Sequence, residues 1–149
     1  MFKKILCATD LNPESSEAVR KAVQLAHQYN SKIIMLNVHE EFMTKEEMGM
    51  LRVSIDNMKS QFEKTALMAK KEMIEEIISL HAEDIEVEYI IRDGKPNKVI
   101  CEEAEKTQAD LVIMGVNDKS LSNIIFRSTA SFVIEHVKIP VLVVPRKIK

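Results

Sequence analysis

Residues 3–14 read KKILCATDLNPE, and this stretch decides the fold. Two lysines precede a short apolar run, Ile5 to Thr9, which predicts a buried β-strand that ends at an acid, Asp10. Asn12, Pro13 and Glu14 then predict a helix start. They supply a capping side chain, a proline at the first helical position and an acid at the positive end of the helix dipole. A strand followed at once by a helix is the building unit of an α/β fold.

The same alternation continues to the end of the chain. Apolar residues at helical spacing follow Glu14 as far as Asn30, whose type is common at left-handed helix ends. Short apolar runs predict further strands, and periodic segments between them predict helices. The predicted strands are Ile33–Val38, Ile85–Ile91, Leu111–Met114 and Ile139–Val144, and the later helices cover about 48–81, Asn97–Thr107 and Ile124–Val137, with a turn at Asp93-Gly94.

The second helix is predicted to be the longest. Thr44 to Glu47 has capping-box spacing, and apolar positions then step by three or four residues to about His81. We expect a break near Gly49, because glycine has poor helix propensity. Methionines concentrate in this part of the chain, and we interpret them as core filling along the apolar stripe rather than as an adaptable partner surface. They are Met43, Met48, Met50, Met58, Met68 and Met73.

The predicted order of elements is βαβαβαβαβ, in one domain that covers residues 1–149. Short, continuously apolar strands separated by helices indicate a parallel sheet that is covered by helices on both faces. In such doubly wound sheets, ligands bind beyond the carboxyl ends of the strands, where the strand order reverses. The candidate site is therefore a set of strand-end loops.

Composition removes several classes of function. The formal net charge is −2 and basic residues are interspersed with acids, so we expect no nucleic-acid or membrane partner. No apolar run is long enough to span a bilayer and the first ten residues lack signal-peptide character, so we expect a cytoplasmic protein. Cys7 and Cys101 form no metal or redox motif, and the four histidines show no metal-ligand spacing.

Three stretches together resemble a known family. The first is Ile5–Asp10, and the second is Gly94-Lys-Pro96 followed by a helix and then Ala109–Gly115. The third is Ser128–His136 running into Ile139–Val144. In this order and spacing, the chain resembles the universal stress protein family from end to end. The resemblance implies a five-stranded parallel sheet of order 3-2-1-4-5, similar to adenine-nucleotide α-hydrolase domains, with the switch point between the first and fourth strands.

Many members of that family bind ATP through a glycine-patterned loop, in which backbone N–H groups approach the phosphates. This chain has a degenerate version of the loop. Gly115 matches the first glycine and Asp118 stands at the second. For the third glycine, an ungapped count places Ser128 there with Thr129 after it. Alignment on the following helix instead places Arg127 there with Ser128 after it, and we prefer this because the downstream residues then agree. Both alignments lose two glycines.

The resemblance also assigns candidate nucleotide contacts. It places Asp10 and Thr9 at the adenine or ribose, and Val38 against the adenine. The remaining candidates line the ribose and phosphate path, and they are Met114, Gly115, Asn117, Arg127, Ser128 and Thr129. Each residue also has a structural interpretation: Asp10 as a cap for its loop, Val38 as strand core, and Ser128 and Thr129 as local backbone partners. For Asp10 and Gly115 the two interpretations have equal weight.

The expected function is that of a small stress-response or regulatory protein without standard tight ATP binding. A carboxylate at Asp118 repels phosphate charges, by about 1 kcal/mol per pair at 4 Å in water and ~4 at an effective dielectric of 20. The alternatives are an ATP-binding switch and a weak ATPase, although no nucleophile–base pair supports an enzyme. No cofactor is expected, ATP or AMP is the candidate ligand, and Mg²⁺ would enter only with ATP. The resemblance implies a homodimer through the edge strand Val141–Val144, beside an unidentified protein partner.

Overall fold

The computed structural model describes residues 1–40, 55–115 and 123–145. Helices and strands alternate along these ranges, as predicted. The strands are β1 (Lys4–Ala8), β2 (Lys32–His39), β3 (Val87–Asp93), β4 (Leu111–Gly115) and β5 (Val141–Val144). The α-helices are α1 (Ser16–Tyr29), α2 (Ile55–Ser79), α3 (Pro96–Lys106) and α4 (Asn123–His136), and a 3₁₀ turn at Pro13–Ser15 precedes α1.

The five strands form one parallel sheet of order β3-β2-β1-β4-β5, which confirms the predicted fold class and strand order. β1 is central and pairs with both β2 and β4. Ala8 is the register partner of Leu36 on one side and of Met114 on the other. The carboxyl ends of β1, β2 and β4 therefore meet at one edge of the sheet, where the strand order reverses.

Each face of the sheet has its own core, because side chains alternate between the faces along every strand. One core joins Ile5, Cys7 and Met35 to α1 and to the buried stripe of α2. The other joins Leu6, Ile34 and the remaining alternate strand residues to α3 and α4. Burial on both faces explains why the strands are continuously apolar rather than alternating.

Several predicted boundaries are wrong by one or two residues, and one predicted role is wrong. Asn12 makes no side-chain capping bond to the helix, and its Nδ2 donates to Asp10 Oδ2 at 3.1 Å. The chain enters the helix through the 3₁₀ turn, in which the Ser15 N–H donates to the Asn12 carbonyl at 2.9 Å. At the other end of α1, Asn30 adopts the predicted left-handed conformation, with φ 55°.

The long helix α2 carries the predicted buried stripe in its second half. Ala69, Met73 and Ile77 are buried against the sheet, which confirms core filling at Met73, whereas Met68 is 65% exposed. The helix ends at Ser79 rather than near His81. The predicted capping box at Thr44 and break at Gly49, with the methionines up to Met50, lie outside the described residues.

Both cysteines are free thiols. Cys7 is fully buried in the sheet, where desolvation and, secondarily, the charge of Glu76 raise the pKa of its thiol to about 12. Cys101 is half-buried, and burial followed by the charge of Glu102 raises its thiol pKa. Neither thiol has the electropositive surroundings of a reactive cysteine. No helix in the described part of the chain is long and apolar enough to cross a membrane.

Candidate functional site

The candidate site lies at the carboxyl edge of β1, β2 and β4. Strand register brings five of the predicted residues to this edge, since Thr9 and Asp10 follow β1, Val38 precedes the end of β2, and Met114 and Gly115 end β4. They come together because parallel strands all end at the same side of the sheet. We call this region the carboxyl-edge cleft.

The loop after β1 is held by its own polar side chains. Thr9 is buried, and its Oγ1 lies 3.0 Å from Ser15 Oγ and accepts a hydrogen bond from the Leu11 N–H at 3.1 Å. Asp10 is exposed, and its carboxylate accepts bonds from the Asn12 backbone N–H at 2.9 Å and from Asn12 Nδ2 at 3.1 Å. These bonds support Leu11 at φ 66°, in the left-handed region that residues with a Cβ seldom occupy.

The end of β2 contributes a buried amide that the sequence analysis did not single out. Asn37 is 2% exposed, and its Nδ2 donates to the Thr9 carbonyl at 2.9 Å, which ties β2 to the loop after β1. Within the described ranges, its Oδ1 has no hydrogen-bond partner. A single amide inside the apolar run KIIMLNVH was the available signal, because a buried polar group needs a partner.

Val38 and Met114 have the surroundings of core residues. Val38 is half-buried and packs at the margin of the core formed with α3 and α4, while Met114 is buried within that core. Val38 faces the opposite side of the sheet from Asn37, as alternation along β2 requires. The half-buried Val38 therefore gives the cleft an apolar surface, and Met114 packs in the core beneath the cleft.

The two glycines of the resemblance differ in what the fold demands of them. Gly94 has φ 137°, and a Cβ on it would lie 3.0 Å from Val99 Cγ2, so glycine is structurally required in this turn. A Cβ on Gly115 would meet Ser15 Cα at 3.7 Å and Ala18 Cβ at 3.8 Å, which are ordinary contacts. The fold therefore explains the glycine at position 94 and leaves the glycine at position 115 without a packing reason.

No described side-chain contact connects the remaining four predicted residues, Asn117, Arg127, Ser128 and Thr129, to the cleft. Asn117 lies outside the described residues, as does Asp118, which stands at the second glycine position of the family's loop. Arg127 and Ser128 lie in α4, but their side chains are outside the described part of the chain. Thr129 follows them on α4 and is half-buried. Their roles at the phosphates stay predictions.

The described part of the cleft combines a polar surface with an apolar one. It presents an exposed carboxylate on Asp10 and an apolar surface on Val38, which match ribose hydroxyls and a flat ring. Among residues 1–40, 55–115 and 123–145, no group of three or more His, Cys, Asp or Glu residues is arranged to hold a metal ion. The hydroxyls of Thr9 and Ser15 bond to each other and to backbone groups.

Comparison with known proteins adds to this geometry. The chain matches the model of the Universal stress protein family over residues 1–145. It is 30% identical to Universal stress protein MJ0531 of Methanocaldococcus jannaschii, across 98% of this chain and 84% of that protein. It is also 30% identical to Universal stress protein A of Salmonella typhi, across 97% of this chain and 94% of the relative.

Solved structures give the same result for the fold. A structure of the protein MJ0577 has a TM-score of 0.78 at 28% identity and covers 100% of this chain and 99% of its own. A universal stress protein in complex with cAMP has a TM-score of 0.70 at 20% identity, with 98% of both chains covered. An Archaeoglobus fulgidus universal stress protein in complex with dAMP has a TM-score of 0.63 at 18% identity, covering 95% of this chain and 97% of that one. The last two are similar to this chain in fold.

Proposed function

We propose a function from the premise that this chain belongs to the universal stress protein family. It is a dimeric cytoplasmic regulatory protein, and its carboxyl-edge cleft does not hold ATP tightly. The observation that carries the proposal is the charge pattern after β4. Gly115 is followed by Asp118, where the family's ATP loop has its second glycine. The protein then acts through protein contacts rather than through a tightly bound nucleotide.

The phosphate side of the cleft is the side that the sequence alters. Close approach of backbone N–H groups to phosphates needs glycine, and a Cβ at Arg127 or Ser128 obstructs that approach. Asp118 adds a negative charge beside the several negative charges of the ATP phosphates. The Arg127 guanidinium could offset this only by bidentate contact with phosphate, and Asp118 competes for the same guanidinium.

The nucleoside side of the cleft retains groups that a ligand could use. The Asp10 carboxylate is exposed, and although Asn12 occupies part of its capacity, a carboxylate has about four lone-pair sites. Val38 supplies an apolar contact for a ring. Two relatives were solved in complex with cAMP and with dAMP, and each of these ligands has one phosphate. Such a ligand suits a cleft whose contacts to the distal phosphates of ATP are weakened. We therefore propose weak AMP or adenosine binding, with Mg²⁺ entering only with ATP.

Calorimetric titration separates the two sides of the cleft. Adenosine, AMP and ATP are titrated into the purified protein, with and without Mg²⁺, and ATP hydrolysis is followed in parallel. The proposal expects AMP to bind at least as well as ATP, little effect of Mg²⁺ and no turnover above background. Tight ATP binding that strengthens with Mg²⁺, or steady hydrolysis that an Asp10→Ala variant loses, would favour the switch or ATPase instead.

We propose that the homodimer forms through β5. This strand is at one edge of the sheet and pairs only with β4 among the described strands, so its outer backbone groups lack strand partners there. One large apolar side chain of this strand is exposed, Leu142 at 37%. A second copy pairing across a two-fold axis would cover both the open backbone edge and this apolar side chain.

Sedimentation of Leu142→Lys tests this interface without disturbing the core, since Leu142 is already partly exposed. The expected result is a folded monomer, because a charge would be buried in the dimer contact. Leu67→Lys is the matched control, because Leu67 is 72% exposed on α2. The control is expected to stay dimeric. A dimer in the Leu142 variant, or a monomeric wild type, contradicts the interface.

A further inference from the structure

The amino edge of the sheet carries a concave surface that none of the nucleotide arguments uses. It has a volume of about 500 Å³ and lies on the face covered by α3, between the sheet and the C-terminal half of that helix. We call it the amino-edge groove. Its apolar lining residues are Ile34 and Ile90. Its charged lining residues are four cations, Lys4, Lys32, Arg92 and Lys106, and two acids, Glu88 and Glu103.

Strand register forces two of these cations together. Lys4 of β1 is the direct register partner of Lys32 of β2, and both side chains line the groove. Like charges on register partners of neighbouring strands repel each other. A sequence that places two lysines here, with a third cation on the facing helix, creates a local excess of positive charge.

Four cations line the groove against two carboxylates, Glu88 and Glu103, and the acids Glu86 and Glu102 lie outside its lining. Arg92 is engaged by Glu103 at 2.6 Å and by Glu102 at 2.9 Å. Lys32 approaches Glu88 at 3.4 Å and Glu86 at 3.9 Å, and both acids are at least half exposed, so these contacts are weak.

The other two lysines have no carboxylate partner among the described residues. Lys4 Nζ donates to the carbonyl of Thr107 at 3.2 Å, which uses one of its three donors. The ion pairs of the described ranges include neither Lys4 nor Lys106.

We propose that the amino-edge groove binds a small organic polyanion, a metabolite that carries two or more carboxylate or phosphate groups. The lysine ammonium groups would contact the anionic groups through charge-assisted hydrogen bonds, and the half-buried Ile90 would pack against the carbon skeleton. The volume falls within the usual range for small-molecule sites. Binding would also relieve the repulsion between Lys4 and Lys32, so the site would stabilise the fold when occupied.

NMR titration of the isotope-labelled full chain tests the proposal, with citrate as the carboxylate probe and inorganic pyrophosphate as the phosphate probe. The expected result is saturable binding of at least one probe, with the largest amide shifts at Lys32, Thr107 and Gln108. The double variant Lys32→Met, Lys106→Met should bind at least about tenfold more weakly, since each charge-assisted contact is worth roughly a tenfold change. Which probe binds more tightly identifies the anionic group.

Two further variants keep the test decisive. Lys98→Met removes an exposed lysine from α3 outside the groove and should bind as the wild type does. Glu88→Gln removes a groove carboxylate that approaches Lys32, and should bind more tightly than the wild type. Shifts confined to Thr9 and Gly115, non-saturable binding of both probes, or equal losses in the Lys98 and double variants would overturn the proposal.

Discussion

The carboxylate of Asp10 holds Asn12 by two hydrogen bonds, from the backbone N–H at 2.9 Å and from Nδ2 at 3.1 Å. The acid that ends the first strand therefore folds the loop that leads into the 3₁₀ turn and α1. This structural role is compatible with the proposed nucleotide contact, because an exposed carboxylate keeps lone pairs for a ligand. It does mean that substitutions at Asp10 change the loop as well as any nucleotide contact.

Replacing Asp10 with alanine is expected to lower the free energy of unfolding by about 1 kcal/mol, because two hydrogen bonds that order the loop are lost. Urea denaturation measures this change. Asp93→Ala is the matched control: Asp93 is also an exposed acid at a strand end, and its change should stay within about 0.5 kcal/mol. Equal effects of the two substitutions would contradict the loop-holding role.

The two glycines should respond differently to alanine. Gly94→Ala is expected to cost at least about 1 kcal/mol of stability, because φ 137° strains an L-residue and the Cβ would lie 3.0 Å from Val99 Cγ2. Gly115→Ala should cost less than about 0.5 kcal/mol, because its Cβ meets only ordinary contacts. Thermal unfolding of both variants measures the contrast. A larger loss at Gly115 would show that packing requires that glycine.

The ion pair of Arg92 with Glu103 should be important for stability, because Glu103 is 2% exposed. The hydrogen bonds of the Arg92 guanidinium raise the pKa of Arg92, and the bond to Glu103 has a larger effect than the bond to Glu102. Arg92→Met should destabilise the fold by about 3 kcal/mol, since it leaves a buried carboxylate without this partner. The double variant with Glu103→Met should recover most of that loss.

Arg20→Met is the control for this pair, because Arg20 lies 3.8 Å from Glu17 at the exposed surface of α1. It should change the free energy of unfolding by less than about 1 kcal/mol. Urea denaturation of all three variants measures the comparison. A loss at Arg92 no larger than at Arg20, or no recovery in the double variant, would show that the buried pair contributes little.

Stability should depend on pH through Glu76 of α2. Desolvation raises the pKa of this carboxyl above its ordinary value of 4.5, so the folded state holds the proton more tightly than the unfolded state. Its contribution to stability is therefore present below that ordinary value and is lost as the pH rises through the folded pKa. Glu76→Gln should be more stable than the wild type at neutral pH and should lose this advantage on acidification.

Urea midpoints between about pH 4 and about pH 7 measure the effect, because this range spans the ordinary carboxyl pKa. Glu75→Gln serves as the control, since Glu75 is an exposed neighbour on the same helix. If the two glutamine variants have the same pH profile, burial of Glu76 has no effect on stability.

The fold was predictable because the strands are recognisable as short apolar runs in the sequence. Ile5–Thr9 and Leu111–Met114 are short apolar runs between helical patterns, and a parallel sheet covered on both faces buries such runs. The strand order came from the family resemblance rather than from periodicity. The boundary errors have local causes, such as the 3₁₀ turn at Pro13–Ser15 that precedes α1.

The site was less predictable than the fold. Strand ends placed Thr9, Asp10 and Gly115 at one edge, as expected, because parallel topology dictates it. Asn37 was missed, because a polar residue inside an apolar run indicates only that a partner exists and does not say which one. The amino-edge groove was also missed, since Lys4 and Lys32 become neighbours only through the register of β1 and β2.

The most direct test of the central claim is calorimetric titration of ATP into the wild type and into the double variant Asp118→Gly, Arg127→Gly. The account predicts weak or undetectable ATP binding by the wild type. It predicts a gain of at least about tenfold in the variant, because the glycines restore close backbone approach and remove the repulsive carboxylate. Low-micromolar ATP binding by the wild type, or a variant that binds ATP no more tightly, would contradict it.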